Sequence, residues 1–128
     1  MQSASLVVLI VDDNDRNRKL ARDVLGAAGF RTLEAPTAGQ GIALASEHLP
    51  DVVLMDLRLP DADGSDAARR LRADPRTAHI PIVAMTALHL DPRDDWLSEA
   101  GFAGSIPKPI DPEAFPELVH GFCARRSE

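Results

Sequence analysis

Three short runs of the chain are almost continuously apolar: LVVLIV at 6–11, VVLM at 52–55 and IPIVAM at 80–85. Four to six such residues without polar alternation are what a strand needs when both its faces are covered, as in a parallel sheet. Two weaker segments, RTLEA at 31–35 and SIP at 105–107, complete a set of five.

Helical periodicity fills the gaps. Over 15–28, Leu20, Ala21, Val24, Leu25 and Ala28 share one face, Arg16, Arg18, Lys19, Arg22 and Asp23 mostly take the other, and Gly29 stops the helix. Over 38–49 the stripe is Ala38, Ile42, Ala45 and Leu49, although Gly39 and Gly41 each cost that helix roughly 1 kcal/mol. A short helix over 65–73 turns Ala67, Ala68 and Leu71 inward. Asp91-Pro92 opens a fourth helix, which Gly101 closes, and Asp111-Pro112 repeats the opening for a fifth carrying Phe115, Leu118, Val119 and Phe122. Pro116 shifts the start of that last helix to about residue 116, behind a tight turn. Strict β-α alternation of this kind predicts an α/β fold: one open five-stranded parallel sheet, doubly wound as (β/α)5 in three layers.

Composition narrows the class. The 128 residues suffice for one domain spanning 1–128, without repeats or linkers. A net charge of −6 argues against a nucleic-acid surface. The apolar run at 6–11 is too short for a signal peptide or membrane span, and the single Cys123 excludes an internal disulfide, so a cytoplasmic, reducing location is expected. Only Lys19 and Lys108 are lysines.

In open parallel sheets the active groups lie just beyond the carboxyl ends of the strands. That rule selects Asp12 and Asp13 after the first strand, Asp56 after the third, Thr86 after the fourth and Lys108-Pro109 after the fifth. Two carboxylates about 4 Å apart repel by roughly 4 kcal/mol at an effective dielectric near 20, so a shared rim of three needs a cation. An all-oxygen set suits Mg²⁺, which keeps several waters and shares its sphere readily with phosphate. Each residue alone also has a plain reading as a turn or cap residue, Asn14 among them, as the cap of the first helix. The combination at four strand ends is what points to chemistry.

The DD at 12–13, the block DLRLPDADG at 56–64, MTA at 85–87 and KP at 108–109 resemble the receiver domain of bacterial response regulators, over about residues 6–123. DDNDRNRKL, AHIPIVAMTAL and SIPKPI look closest to stand-alone receivers of the DivK type and to receivers attached to hybrid sensor kinases. The resemblance implies a flavodoxin-like sandwich of the CheY-like superfamily and a phosphoacceptor in two-component signalling, not an enzyme in its own right. Asp56 would take a phosphoryl group from a sensor histidine kinase or histidine phosphotransfer protein, giving an aspartyl phosphate. Asp13, Asp56 and the backbone carbonyl of Arg58 would bind Mg²⁺, with Asp12 acting through a water and Lys108 pairing with a phosphate oxygen. Thr86 would move to the phosphoryl group, changing the surface made by the fourth helix, fifth strand and fifth helix. Pro60 and Gly64 would shape the loop, and Pro109 would follow a cis bond that aims Lys108 inward. The output would pass to a downstream protein target from a monomer or weak dimer, without nucleic acid or membrane.

One position departs from the family pattern. Ser105 stands where many receivers carry an aromatic switch residue, and the chain has no Tyr; Ile106 and Phe102 are the candidates to replace it. That departure keeps open a degenerate receiver acting unphosphorylated, and the chain also suits a receiver from a hybrid kinase. A phosphatase-like hydrolase is disfavoured by Arg58, where such enzymes place a second carboxylate. His48, His79, His89 and His120 show no ligand spacing, Cys123 reads as a small buried hydrophobe, and Trp96 reads equally as core or interface anchor. Arg69, Arg70, Arg72 and Arg76 read as a solvated face.

Overall fold

In the computed structural model, residues 6–86 and 99–126 are described. Five parallel strands, β1 (Val7–Val11), β2 (Arg31–Ala35), β3 (Val52–Asp56), β4 (Ile82–Thr86) and β5 (Gly104–Pro107), form one sheet in the order β2-β1-β3-β4-β5. The helices α1 (Asp15–Ala27), α2 (Ala38–His48) and α3 (Gly64–Ala73) and a C-terminal helix (Phe115–Arg126) cover it. The helix expected from Asp91-Pro92, with Trp96, falls outside the described residues apart from its end, where Glu99 and Ala100 are helical, and His89 lies outside them too.

Alternation along each strand builds the three layers. Val8 and Ile10 of β1, Val52 and Leu54 of β3 and Val83 and Met85 of β4 join Ala21, Leu25, Phe115, Val119 and Cys123 in a core on the α1 side. Their neighbours Leu9, Val11, Val53, Met55 and Ala84 face the other way, onto Ala45, Ala67, Ala68 and Leu71 of α2 and α3. Both faces are buried, which is why the sequence shows apolar runs and no period-two pattern.

Local signals set the ends of the helices. Asn14 Oδ1 accepts the Asn17 N–H at 3.0 Å and caps α1, and Gly29 follows that helix with φ +97°. The turn at Asp111 precedes the C-terminal helix: its carbonyl accepts the Phe115 N–H at 2.8 Å, and the helix starts at Phe115, so Pro116 sits in the first turn, where a missing N–H costs nothing. Leu49 ends α2 in the left-handed region at φ +49°. Gly41, a cost by helix propensity, has a packing reason: a Cβ there would lie 2.8 and 3.1 Å from the Val11 methyls, so glycine lets α2 close on β1 next to Asp12.

Gly64 is the tightest of these approaches. A Cβ at position 64 would stand 2.5 Å from the Asp56 backbone oxygen and 2.9 Å from Leu57 Cα. Backbone cannot yield as a side-chain tip can, so Gly64→Ala is expected to lower stability by about 1–3 kcal/mol. Chemical denaturation followed by circular dichroism tests this, and an unchanged midpoint would contradict it.

Candidate functional site

The sheet order puts β1 and β3 side by side, with β4 and β5 next, so the residues after these strands meet at one rim. Asp12, Asp13, Asn14, Asn17, Asp56, Leu57, Arg58, Thr86 and Lys108 line an open cleft there of about 390 Å³. Asp12, Asp56 and Thr86 are buried and Asp13 is exposed. The carboxylates of Asp12, Asp13 and Asp56 each offer an oxygen within 4.8 Å of the others.

Lys108 joins two of them. Its Nζ donates to Asp12 Oδ2 at 2.9 Å and to Asp56 Oδ2 at 3.1 Å. The second oxygens are held by backbone: Asp12 Oδ1 accepts the Asn14 N–H at 2.9 Å, and Asp56 Oδ1 accepts the Arg58 N–H at 3.0 Å. Both buried carboxylates therefore have fixed orientations. The Lys108–Pro109 bond is cis, and the Lys108 N–H donates to the Thr86 carbonyl at 2.9 Å, joining the ends of β4 and β5.

Burial pushes the Asp56 carboxyl above its ordinary value, and the charge of Asp12 adds to this; the Arg58 N–H and the Lys108 ammonium offset only part. For Lys108, burial alone pulls downward, but the bonds and charges of Asp12 and Asp56 outweigh it and hold the ammonium above its usual range. Three carboxylates against one ammonium leave a formal charge of −2. Each carboxylate pair within 4.8 Å repels by about 3.5 kcal/mol or more at an effective dielectric near 20. The donors are all hard oxygens, the charge is complementary to a divalent cation, and one carboxylate is open to water. This set fits Mg²⁺.

Some expectations need correction. Leu20 and Leu118, read on the apolar faces of the first and last helices, lie at the margins of those faces and are 41% and 46% exposed. Arg18, placed on the outer face of α1, turns toward the sheet with 15% of its side chain exposed. Its Nη1 donates to the Asp12 carbonyl at 2.7 Å, and the guanidinium also pairs with Asp15 and Glu34. Ser105 is exposed, and of the residues considered in place of an aromatic there, Ile106 is buried on the α1 side of the sheet and Phe102 on the α2–α3 side. Neither has a surface position from which to swing.

Elsewhere the plain readings hold. Lys19 pairs with Asp23 in solvent at 3.1 Å. The arginines of α3 resolve into local contacts, Arg69 with Asp66 and, beyond the helix, Arg76 with Asp74, while Arg72 donates to the Ala78 carbonyl at 2.6 Å. Cys123 is buried, and Pro60 is an exposed loop residue. Asp61, which the sequence did not single out, accepts two N–H groups of α2.

Residues 8–120 match the response regulator receiver domain. The chain belongs to this family. The receiver is 35% identical over 115 residues to the polar-differentiation response regulator DivK of Brucella ovis, covering 90% of this chain and 94% of DivK. It superposes on a response regulator from Chloroflexus aurantiacus with a TM-score of 0.88, at 30% identity, over 95% of this chain and all (100%) of the other. The receiver domain of a Pseudomonas aeruginosa sensor histidine kinase, with magnesium coordinated in its active-site cleft, gives 0.84 at 28% identity over 94% and 99% of the two chains. The chain is thus a receiver of two-component signalling, a family whose general function is to accept a phosphoryl group, and a signalling module rather than a classical enzyme. Receivers bind Mg²⁺ at an acidic pocket and interact with histidine kinases or phosphotransfer proteins and with downstream targets. No helix among the described residues is long and apolar enough to cross a membrane.

The raised carboxyl of Asp56 has a measurable consequence. Its folded pKa lies above its unfolded one, so the ionised group opposes folding at neutral pH, and that penalty fades as pH falls through the folded value. Asp56→Asn is therefore expected to stabilise the metal-free protein at pH 7, with the gain shrinking in acid. Mg²⁺ should raise Tm of the wild type and much less that of the variant. Calorimetric scans at two pH values, with and without Mg²⁺, check both; a variant less stable than wild type at pH 7 would overturn the assignment.

Proposed function

We propose that Asp56 is the phosphoacceptor, receiving its phosphoryl group from a phosphohistidine on a sensor histidine kinase or a histidine phosphotransfer protein. An Asp56 oxygen attacks phosphorus, the O–P bond forms, the N–P bond to the imidazole breaks, and the histidine leaves with its electron pair. What carries this reading is the placement of Asp56: end of β3, orientation fixed by the Arg58 N–H, one ammonium at 3.1 Å and two further carboxylates within 4.8 Å.

Asp13, Asp56 and the Arg58 carbonyl would hold Mg²⁺, with Asp12 as an acidic neighbour of the ion. Bound there, the ion supplies positive charge against the phosphoryl oxygens, which is most of what such a transfer requires. Lys108 exchanges its contact with Asp56 for a phosphoryl oxygen while keeping Asp12. The Thr86 hydroxyl donates to another. Asp12 holds Lys108 at the rim throughout, so Lys108 needs no new route into the site. The response leaves through β4 and β5, since the Lys108 N–H bonds the Thr86 carbonyl, and passes to a downstream protein in the cytoplasm. With Ser105 exposed on β5, that output does not use an aromatic at this position.

Incubation with Mg²⁺ and acetyl phosphate, followed by intact mass, tests the proposal. One phosphoryl group is expected on the wild type and none on Asp56→Asn or after chelation. Lys108→Ala should slow labelling about tenfold or more, the scale of one charge-assisted contact of roughly 1.5–3 kcal/mol. A folded wild type that stays unlabelled, or an Asp56→Asn protein that labels equally, would refute it.

A further inference from the structure

The loop between β3 and α3, residues 57–63, is held at three points. Arg58 and Asp63 bridge its two ends, and Gly64 closes against the Asp56 carbonyl. The third hold comes from a different element. Asp61 Oδ1 accepts the Ala38 N–H at 2.8 Å, and its Oδ2 accepts the Gly39 N–H at 3.0 Å, so one carboxylate straddles the start of α2.

The accounting at that helix end is complete. Thr37 Oγ1 takes the Gln40 N–H at 3.2 Å and the Thr37 carbonyl takes the Gly41 N–H at 3.0 Å, leaving Asp61 to satisfy the remaining two donors of the first turn. The Gly39 and Ala38 N–H groups hold the Asp61 carboxyl below its ordinary range. Gly39 also fits this contact, because a Cβ there would stand 3.5 Å from Asp61 Oδ2, an ordinary touching distance. Asp61 is exposed, so burial does not force these bonds; it gives up hydration to make two charge-assisted ones.

We propose that Asp61 is a positioning residue for phosphoryl transfer at Asp56, acting by tying the loop that carries Arg58 to the start of α2. The inference rests on the phosphoacceptor reading above. Arg58 serves the site twice, through the N–H that orients Asp56 Oδ1 and through the carbonyl assigned to Mg²⁺. Asp61 lies three residues further along the same loop. Once its tether is cut, both groups of Arg58 sample a wider range of positions, and a transfer that depends almost wholly on positioning slows.

The test compares wild type, Asp61→Ala, Asp61→Asn and the double variant Asp61→Ala with Gly39→Ala. Mg²⁺ affinity is read by isothermal titration calorimetry, labelling by acetyl phosphate through intact mass, and Tm by calorimetry. Asp61→Ala should weaken Mg²⁺ binding and slow labelling about five- to tenfold each, with Asp61→Asn, which keeps one acceptor oxygen, in between. Gly39→Ala improves helix propensity without clashing, so the double variant should recover Tm relative to Asp61→Ala while Mg²⁺ affinity and labelling stay low. If both recover along with Tm, Asp61 serves only helix stability and the inference fails. It fails alone if Asp61→Ala stays within twofold of wild type on both measures. A wild type that takes no label overturns the phosphoacceptor reading, and this inference with it.

Discussion

Two buried carboxylates sharing one ammonium set the terms for the rest of this molecule. Lys108 lies 2.9 Å from Asp12 and 3.1 Å from Asp56, and a third carboxylate, Asp13, comes within 4.8 Å of both. One positive charge cannot neutralise three negative ones. Burial is the main reason the Asp56 carboxyl stands above its ordinary value, and the Asp12 charge adds a smaller push that the Arg58 N–H and Lys108 do not cancel. A site of this kind stores unfavourable charge in the resting protein, and a divalent cation or a rearranged ammonium relieves it.

Such a cluster persists only where the backbone beneath it cannot relax. Asp12 follows β1 directly, with Asp13 next to it, and Asp56 ends β3, and β1 and β3 are neighbours buried on both faces. Moving Asp12 away from Asp56 would mean shearing β1 against β3, and with it the contacts of Val11, Met55 and their partners in the core. Arg18 adds a brace by bonding the Asp12 carbonyl, and Gly64 packs against the Asp56 carbonyl from the opposite side of the loop. Hydrophobic burial thus supplies the force that holds like charges together.

The strands were legible in the sequence because burial on both faces leaves an unbroken apolar run, and the site was legible because a parallel sheet collects residues from its strand ends. Asp12, Asp13, Asp56, Thr86 and Lys108 all line one cleft for that reason. What escaped were contacts between residues distant in sequence that element order does not set. Arg18 has the spacing of an outward residue on α1, yet its long stem lets the guanidinium come back to the end of β1. Asp61 belongs to a polar loop in which any residue could be solvated, and its partners lie 22 and 23 positions away. Gly41 reads as a weak helix position until Val11 is seen against it. Ser105 stood out only by comparison with the family, and the structure adds that Ile106 and Phe102 face opposite cores.

The anchors around the cleft fall on two sides. On the side of α1, α2 and the loop after β3 there are the Arg18 brace, the Asp61 tether, the Arg58–Asp63 bridge and the close approach of Gly41 to Val11. On the side of β4 and β5, the Lys108 N–H bonds the Thr86 carbonyl at the strand ends, and Ser105 and Pro107 of the four-residue edge strand β5 are exposed. A change of charge at Asp56 pulls on Lys108, which belongs to this second side. Lys108 thus reaches Asp12 and Asp56 from beyond β5, across the ends of β4 and β3. The charge at the rim is therefore divided between β1 and β3, whose ends carry the carboxylates, and the end of β5, which carries the ammonium, so the sheet order itself brings the opposite signs together.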